Sequence, residues 1–186
     1  MKRMFVSMVA MLAAAGLALA GDAKTDVKSG LTAGDAPSAF NVKDITGPSK
    51  GTSLCYRCQY GAKPVTCIFT RELSDQVLTL IQNIDTQVGE NKDKNMSAFV
   101  VLLTDDADAG AKQLAKAAET RKIKNVPLTV FDGKAGPESY KISKDAAVTV
   151  LMWNKMRVEV NYASADAKLS AEDVKKISGD TSKILK

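Results

Sequence analysis

The sequence predicts a three-layer α/β domain in which a mixed central sheet is flanked by helices. Three observations carry this. Two short, continuous apolar runs, Val65-Thr66-Cys67-Ile68-Phe69 and Ala98 to Leu103, read as strands covered on both faces. Each is followed by apolar residues at helical spacing, and strand–helix–strand–helix of these lengths argues for parallel pairing. Val148 to Trp153 and Arg157 to Tyr162 then flank Asn154-Lys155-Met156 as a hairpin, which adds antiparallel strands.

The chain opens with the pattern of an export signal. Lys2 and Arg3 precede an apolar or small run from Met4 to Leu19, and Ala18-Leu19-Ala20 supplies small residues around a cleavage point after Ala20. The run falls short of the roughly 20 residues that a membrane span prefers. Residues 1–20 are therefore read as a signal peptide and the mature protein as secreted or periplasmic, with no stable membrane insertion after cleavage. Residues 21–36, rich in Lys, Asp, Ser, Gly and Ala, read as a flexible leader, and residues 37–186 as one domain.

Within that domain Phe40 and Val42 alternate with polar Asn41 and Lys43, which suits a half-buried strand, and Thr46-Gly47-Pro48 breaks it. Ser49 to Lys63 has polar, Gly-containing turn chemistry, so the cysteine pair is expected on a loop or at a strand end. After the first central strand Thr70 is the expected helix cap, with Glu72 in the first turn. Leu73, Val77, Leu80, Ile81, Ile84 and Val88 give that helix its buried stripe, and Gly89 ends it. Thr104-Asp105-Asp106 leads into an alanine-rich helix expected to bury Ala111, Leu114, Ala115 and Ala118. Asp105, Asp106 and Asp108 fit helix capping and lack the spacing of a calcium loop. Val126 to Phe131 is a third apolar run. In the last helix Ser170 with Asp173 resembles a capping box and Leu169 with Val174 a hydrophobic staple.

Composition narrows the chemistry. The net charge of +5 is spread over the chain and only 5% of residues are aromatic, so nothing points to nucleic acid. There is no histidine. That excludes imidazole general bases, Ser-His and Cys-His pairs and histidine metal ligands. Three cysteines without histidine do not complete a zinc site in one chain, and no cofactor or metal is expected.

Gly34, Pro37, Phe40, Val42, Asp44 and Gly47 sit at the spacing of the redoxin opening. Pro127-Leu128, Asp132-Gly133 and Tyr140 match a later stretch of the same family. With the strand order, the chain thus resembles the thioredoxin-like superfamily, in its redoxin and peroxiredoxin branch, over about residues 31 to 186. The resemblance implies a thiol chemistry, but the sequence departs from it where that chemistry normally sits. The family's reactive cysteine follows the first central strand at a helix start, where free N–H groups stabilise a thiolate. Here that turn is Phe69-Thr70-Arg71-Glu72, without cysteine. The family's cis-proline stretch is Asp145-Ala146-Ala147, and Pro127 is the nearest alternative. Neither a peroxidatic cysteine nor the usual redox turn carries over.

The dithiol lies earlier, at Cys55 and Cys58. As a redox pair, the two would exchange with a partner's disulfide, Cys55 attacking and the other resolving, with Arg57, Lys50 and Lys63 favouring a thiolate. As a structural disulfide, the same pair would clip its loop, contributing modestly because the ring is small. Metal ligation is a weaker third reading. Cys67, inside an apolar strand, reads as a small hydrophobe. Arg71 stands where the fold normally reacts and is a supporting candidate; a solvated arginine near Glu72 is the plainer reading. Tyr56 and Tyr60 suggest a recognition surface, and Trp153 suggests core. Partners would be other exported proteins reached by thiol–disulfide exchange, against the alternative of a non-catalytic redoxin-like binding or structural module.

Overall fold

The computed structural model describes residues 27–186; the expected signal peptide and the first six residues of the expected leader lie outside the described residues. The strands are β1 (Val42–Asp44), β2 (Ser53–Leu54), β3 (Val65–Thr70), β4 (Ser97–Thr104), β5 (Leu128–Asp132), β6 (Val148–Asn154) and β7 (Arg157–Ser164). The helices are α1 (Tyr56–Tyr60), α2 (Asp75–Glu90), α3 (Ala107–Arg121) and α4 (Ala171–Asp180), with 3-10 turns at Glu138–Tyr140 and Thr181–Lys183. One seven-stranded sheet runs in the order β2-β1-β5-β4-β3-β6-β7. The β3–β4 and β4–β5 pairs are parallel, and β3–β6 and β6–β7 are antiparallel, giving the mixed sheet that the sequence predicts.

The central strand β3 is buried at all six positions, and its alternate residues serve two different cores. Ile68 faces Val77, Leu80, Ile81 and Ile84 of α2, Leu114 of α3, and Val174 and Ile177 of α4. Cys67 and Phe69 face the other way, into an aromatic core with Tyr56, Phe99, Tyr140 and Trp153. Three long helices therefore cover one face, whereas the other is covered by α1, the Glu138–Tyr140 turn and the chain leading into β1.

That leading chain corrects the expected leader. Ser29, Leu31 and Pro37 are buried. The Asn161 amide donates to the carbonyls of Ser29 and Leu31 at 2.8 and 2.6 Å, and the Ser29 and Thr149 hydroxyls share a 2.7 Å bond. Order thus begins before Pro37, because polar side chains of the hairpin hold a segment whose own composition gives no sign of packing. The hairpin loop is tighter than Asn154-Lys155-Met156. Asn154 pairs with Arg157, leaving Lys155 and Met156 as a two-residue turn with φ of 48° and 65°, the primed geometry that matches strand twist.

Helix ends move for identifiable reasons. Thr70 does not cap α2; it ends β3, and its hydroxyl donates to the Glu72 carbonyl and accepts from the Glu72 N–H. Ser74 is the cap, accepting from the Val77 N–H, so Leu73 and Glu72 lie outside the helix. In α3, Asp106 caps and the buried residues are Gly110, Leu114 and Ala117, with Ala115 exposed. The Ser170–Asp173 capping box of α4 is present in full.

Candidate functional site

The Cys55 to Tyr60 segment, expected on a loop or at a strand end, directly follows β2 and forms one and a half turns of helix. Cys55 is its N-cap, with φ −107° and ψ 97°, and its Sγ accepts a hydrogen bond from the Cys58 N–H at 3.1 Å. Gly61, at φ 55°, closes the helix with its N–H on the Arg57 carbonyl, a left-handed φ that glycine adopts without strain. Five residues are too few to show a helical period, which is why the sequence reads as loop here.

Cys55 and Cys58 are joined as a disulfide, with Cα atoms 5.2 Å apart. Cys58 is exposed and Cys55 half-buried. The residue between them that fixes the helix is Tyr56. Only 1% exposed, it stacks its ring on Phe99 at 5.6 Å and donates its hydroxyl to Asp44 Oδ2 at 2.7 Å. Burial, and then the Asp44 carboxylate, push the Tyr56 pKa well above the ordinary phenol value. Asp44 is itself fully buried and also accepts from the N–H groups of Gly47 at 2.7 Å and Ser49 at 2.9 Å. Tyr60 adds a 3.3 Å bond to the Ala98 carbonyl. Tyr56 is thus an anchor rather than part of a recognition surface, and Trp153 is core at 0% exposure.

Arg57, a supporting candidate, directs Nε to the Pro37 carbonyl at 2.7 Å, tying α1 to the leading chain. Cys67 is fully buried, and desolvation drives its thiol pKa well up; a buried, protonated thiol is a poor nucleophile.

The two candidate regions stand on different strands of the sheet. The dithiol helix follows β2 at one edge and is anchored to Asp44 of β1 and, through Tyr60, to Ala98 of β4, whereas Arg71 follows the end of β3. The hydrogen bonds of Arg71 go to main chain. The guanidinium donates through Nε and Nη2 to the Lys134 carbonyl at 3.1 and 2.9 Å and through Nη1 to the Ala146 carbonyl. The Arg71 N–H binds the Ala147 carbonyl at 3.1 Å. The plainer expectation of a solvated arginine paired with Glu72 gives way to one that ties down main chain. All described peptide bonds are trans, including that of Pro127, which precedes β5.

Solved structures share the fold that carries these residues. A candidate thiol:disulfide interchange protein DsbE from Chlorobium tepidum superposes with a TM-score of 0.65 at 14% identity, covering 84% of this chain and 99% of that one. The thioredoxin domain of a Bacteroides vulgatus thiol-disulfide oxidoreductase gives 0.59 at 16% identity, covering 81% and 97%. The fold is thioredoxin-like. A Mycobacterium tuberculosis peroxidoxin, BcpB, gives 0.59 at 16% identity over 83% and 97%. No protein-family model matches the chain, and no curated protein matches it. At such identities the likeness carries the thioredoxin-like fold and leaves the chemistry to the residues described above.

Among the described residues no three metal-ligating side chains converge, and no helix is long and apolar enough to cross a membrane.

Proposed function

We propose that this protein is an exported thiol–disulfide oxidoreductase whose working pair is Cys55 and Cys58, moved from the usual redox turn to the helix that precedes the first central strand. The observation that carries this reading is a disulfide, exposed at Cys58 and half-buried at Cys55, built into a helix start, with the Cys58 N–H already on Cys55 Sγ. When the bond opens, that N–H would stabilise a Cys55 thiolate, and a stabilised leaving thiolate speeds exchange. A disulfide also suits an oxidising compartment, which agrees with the export pattern of residues 1–20. The partners are disulfide- or dithiol-bearing exported proteins.

A structural bridge is favoured by one observation: Cys55 is half-buried between half-buried Leu54 and buried Tyr56, where a partner thiol has restricted access. One measurement separates the readings. The proposed function requires a reduction potential above about −300 mV with exchange against glutathione; a lower potential without exchange would leave only the bridge.

A further inference from the structure

Resting on that proposed function, the geometry points to an inverted order of attack: external thiols react at Cys58, and Cys55 is the leaving and resolving sulfur. Cys58 is the exposed half of the disulfide, followed by exposed Gln59, whereas half-buried Cys55 lies between half-buried Leu54 and buried Tyr56. An incoming thiolate therefore reaches Cys58 first. The leaving sulfur matters as much, because the thiol that ionises more easily departs faster. Cys55 Sγ already holds the Cys58 N–H at 3.1 Å, and this donor would stabilise the negative charge that appears when the bond breaks. Accessibility and leaving-group stabilisation thus select the same polarity from opposite ends of one bond.

In the oxidising direction a partner thiolate bonds to Cys58 Sγ while the S–S bond breaks, and its electron pair goes to Cys55. The partner's second thiolate then attacks the partner sulfur of the mixed disulfide and expels Cys58 as thiolate. The partner loses two electrons and the protein gains them. In the reducing direction Cys58 attacks the partner disulfide, and Cys55 attacks Cys58 Sγ to release the partner as a dithiol.

The test uses full-chain Cys55→Ser and Cys58→Ser variants incubated with oxidised glutathione, with mixed-disulfide formation followed by intact mass. The Cys55→Ser/Cys58→Ser double variant supplies the background from Cys67. Cys55→Ser, which keeps Cys58, is expected to be captured about tenfold faster than Cys58→Ser. Equal rates, or faster capture by Cys58→Ser, would overturn the inverted order while leaving an exchanging wild-type pair, and so the proposed function, intact. If neither variant is captured above background and the wild-type disulfide does not exchange with reduced glutathione, both readings fall together. Circular dichroism confirms that each variant is folded.

Discussion

Tyr56 Oη donates to Asp44 Oδ2 at 2.7 Å, and both residues are almost completely buried. This bond ties the dithiol helix to β1 across twelve residues of sequence. Removing one partner leaves the other buried and short of a bond, which costs more than the net value of the bond. Tyr56→Phe keeps the ring contact with Phe99 and is expected to lose about 1–3 kcal/mol. Asp44→Ala strands the Tyr56 hydroxyl and the Gly47 and Ser49 N–H groups together, and should cost more than Tyr56→Phe. Urea unfolding of the two variants checks the order; equal losses would mean that the Asp44 cradle contributes nothing beyond its tyrosine.

The same contact explains a glycine. A Cβ at Gly47 would lie 2.3 Å from Tyr56 Oη, 2.7 Å from Asp44 Oδ2 and 2.8 Å from Pro127 Cβ. None of these atoms is the free end of a flexible side chain. Gly47→Ala is expected to destabilise by about 1–3 kcal/mol, in the range of an overpacked core. Gly179 in α4 is the internal control, because an added Cβ there meets nothing within 4 Å. Gly179→Ala should stabilise by about 0.5–1 kcal/mol through helix propensity. Thermal melts of the pair must therefore move in opposite directions.

How far such features could be read in advance depends on their range. The strands are legible because β3, β4 and β6 are continuous apolar runs buried on both faces, and α2 because its stripe repeats over four turns. Asp44 and Gly47 are visible as spaced residues of the redoxin opening, but their purpose needs Tyr56, which the sequence alone offers equally well as surface. The leading chain was hidden for a similar reason: Asn161 and Thr149, more than a hundred residues away, supply its bonds. Arg71 reads as a solvated residue or a supporting candidate until the carbonyls of Lys134 and Ala146 are placed around it. Local pattern reports elements; long-range polar pairing has no period to detect.

Arg71 holds the stretch from Lys134 to Ala147 against the end of β3. Burial lowers its pKa, opposed by the Asp145 charge, and its retained charge makes those carbonyl bonds stronger than neutral ones. Arg71→Ala is expected to cost about 1–3 kcal/mol in urea. Arg71→Lys should recover only part of this, since a single ammonium cannot span two carbonyls as the planar fork does. The reduction potential of the Cys55–Cys58 pair should stay at the wild-type value in both variants, because the Arg71 side chain bonds the Lys134 and Ala146 carbonyls and not the dithiol helix. A shifted potential in either variant would mean that the two regions are coupled.

Alkaline pH should unfold the protein before its tyrosines ionise. Burial, helped at Tyr56 and Tyr60 by Asp44 and at Tyr162 by Asp173, raises the pKa of Tyr56, Tyr60, Tyr140 and Tyr162 far above 10. Their folded-state values exceed the unfolded one, so the phenols' contribution is fully present below about pH 10. As pH rises past that point the unfolded chain releases protons that the folded chain retains, and stability falls. Buried Cys67 acts in the same sense from about pH 9, the ordinary thiol value. Unfolding free energy measured from pH 8 to 12 should hold level and then drop above pH 9–10, with tyrosinate absorbance at 295 nm rising together with the loss of helical circular dichroism. Tyrosinate that appears while the fold is intact would show that these hydroxyls reach solvent. Replacing Tyr56 by Phe should make the alkaline limb shallower, because one of the four titrations is removed.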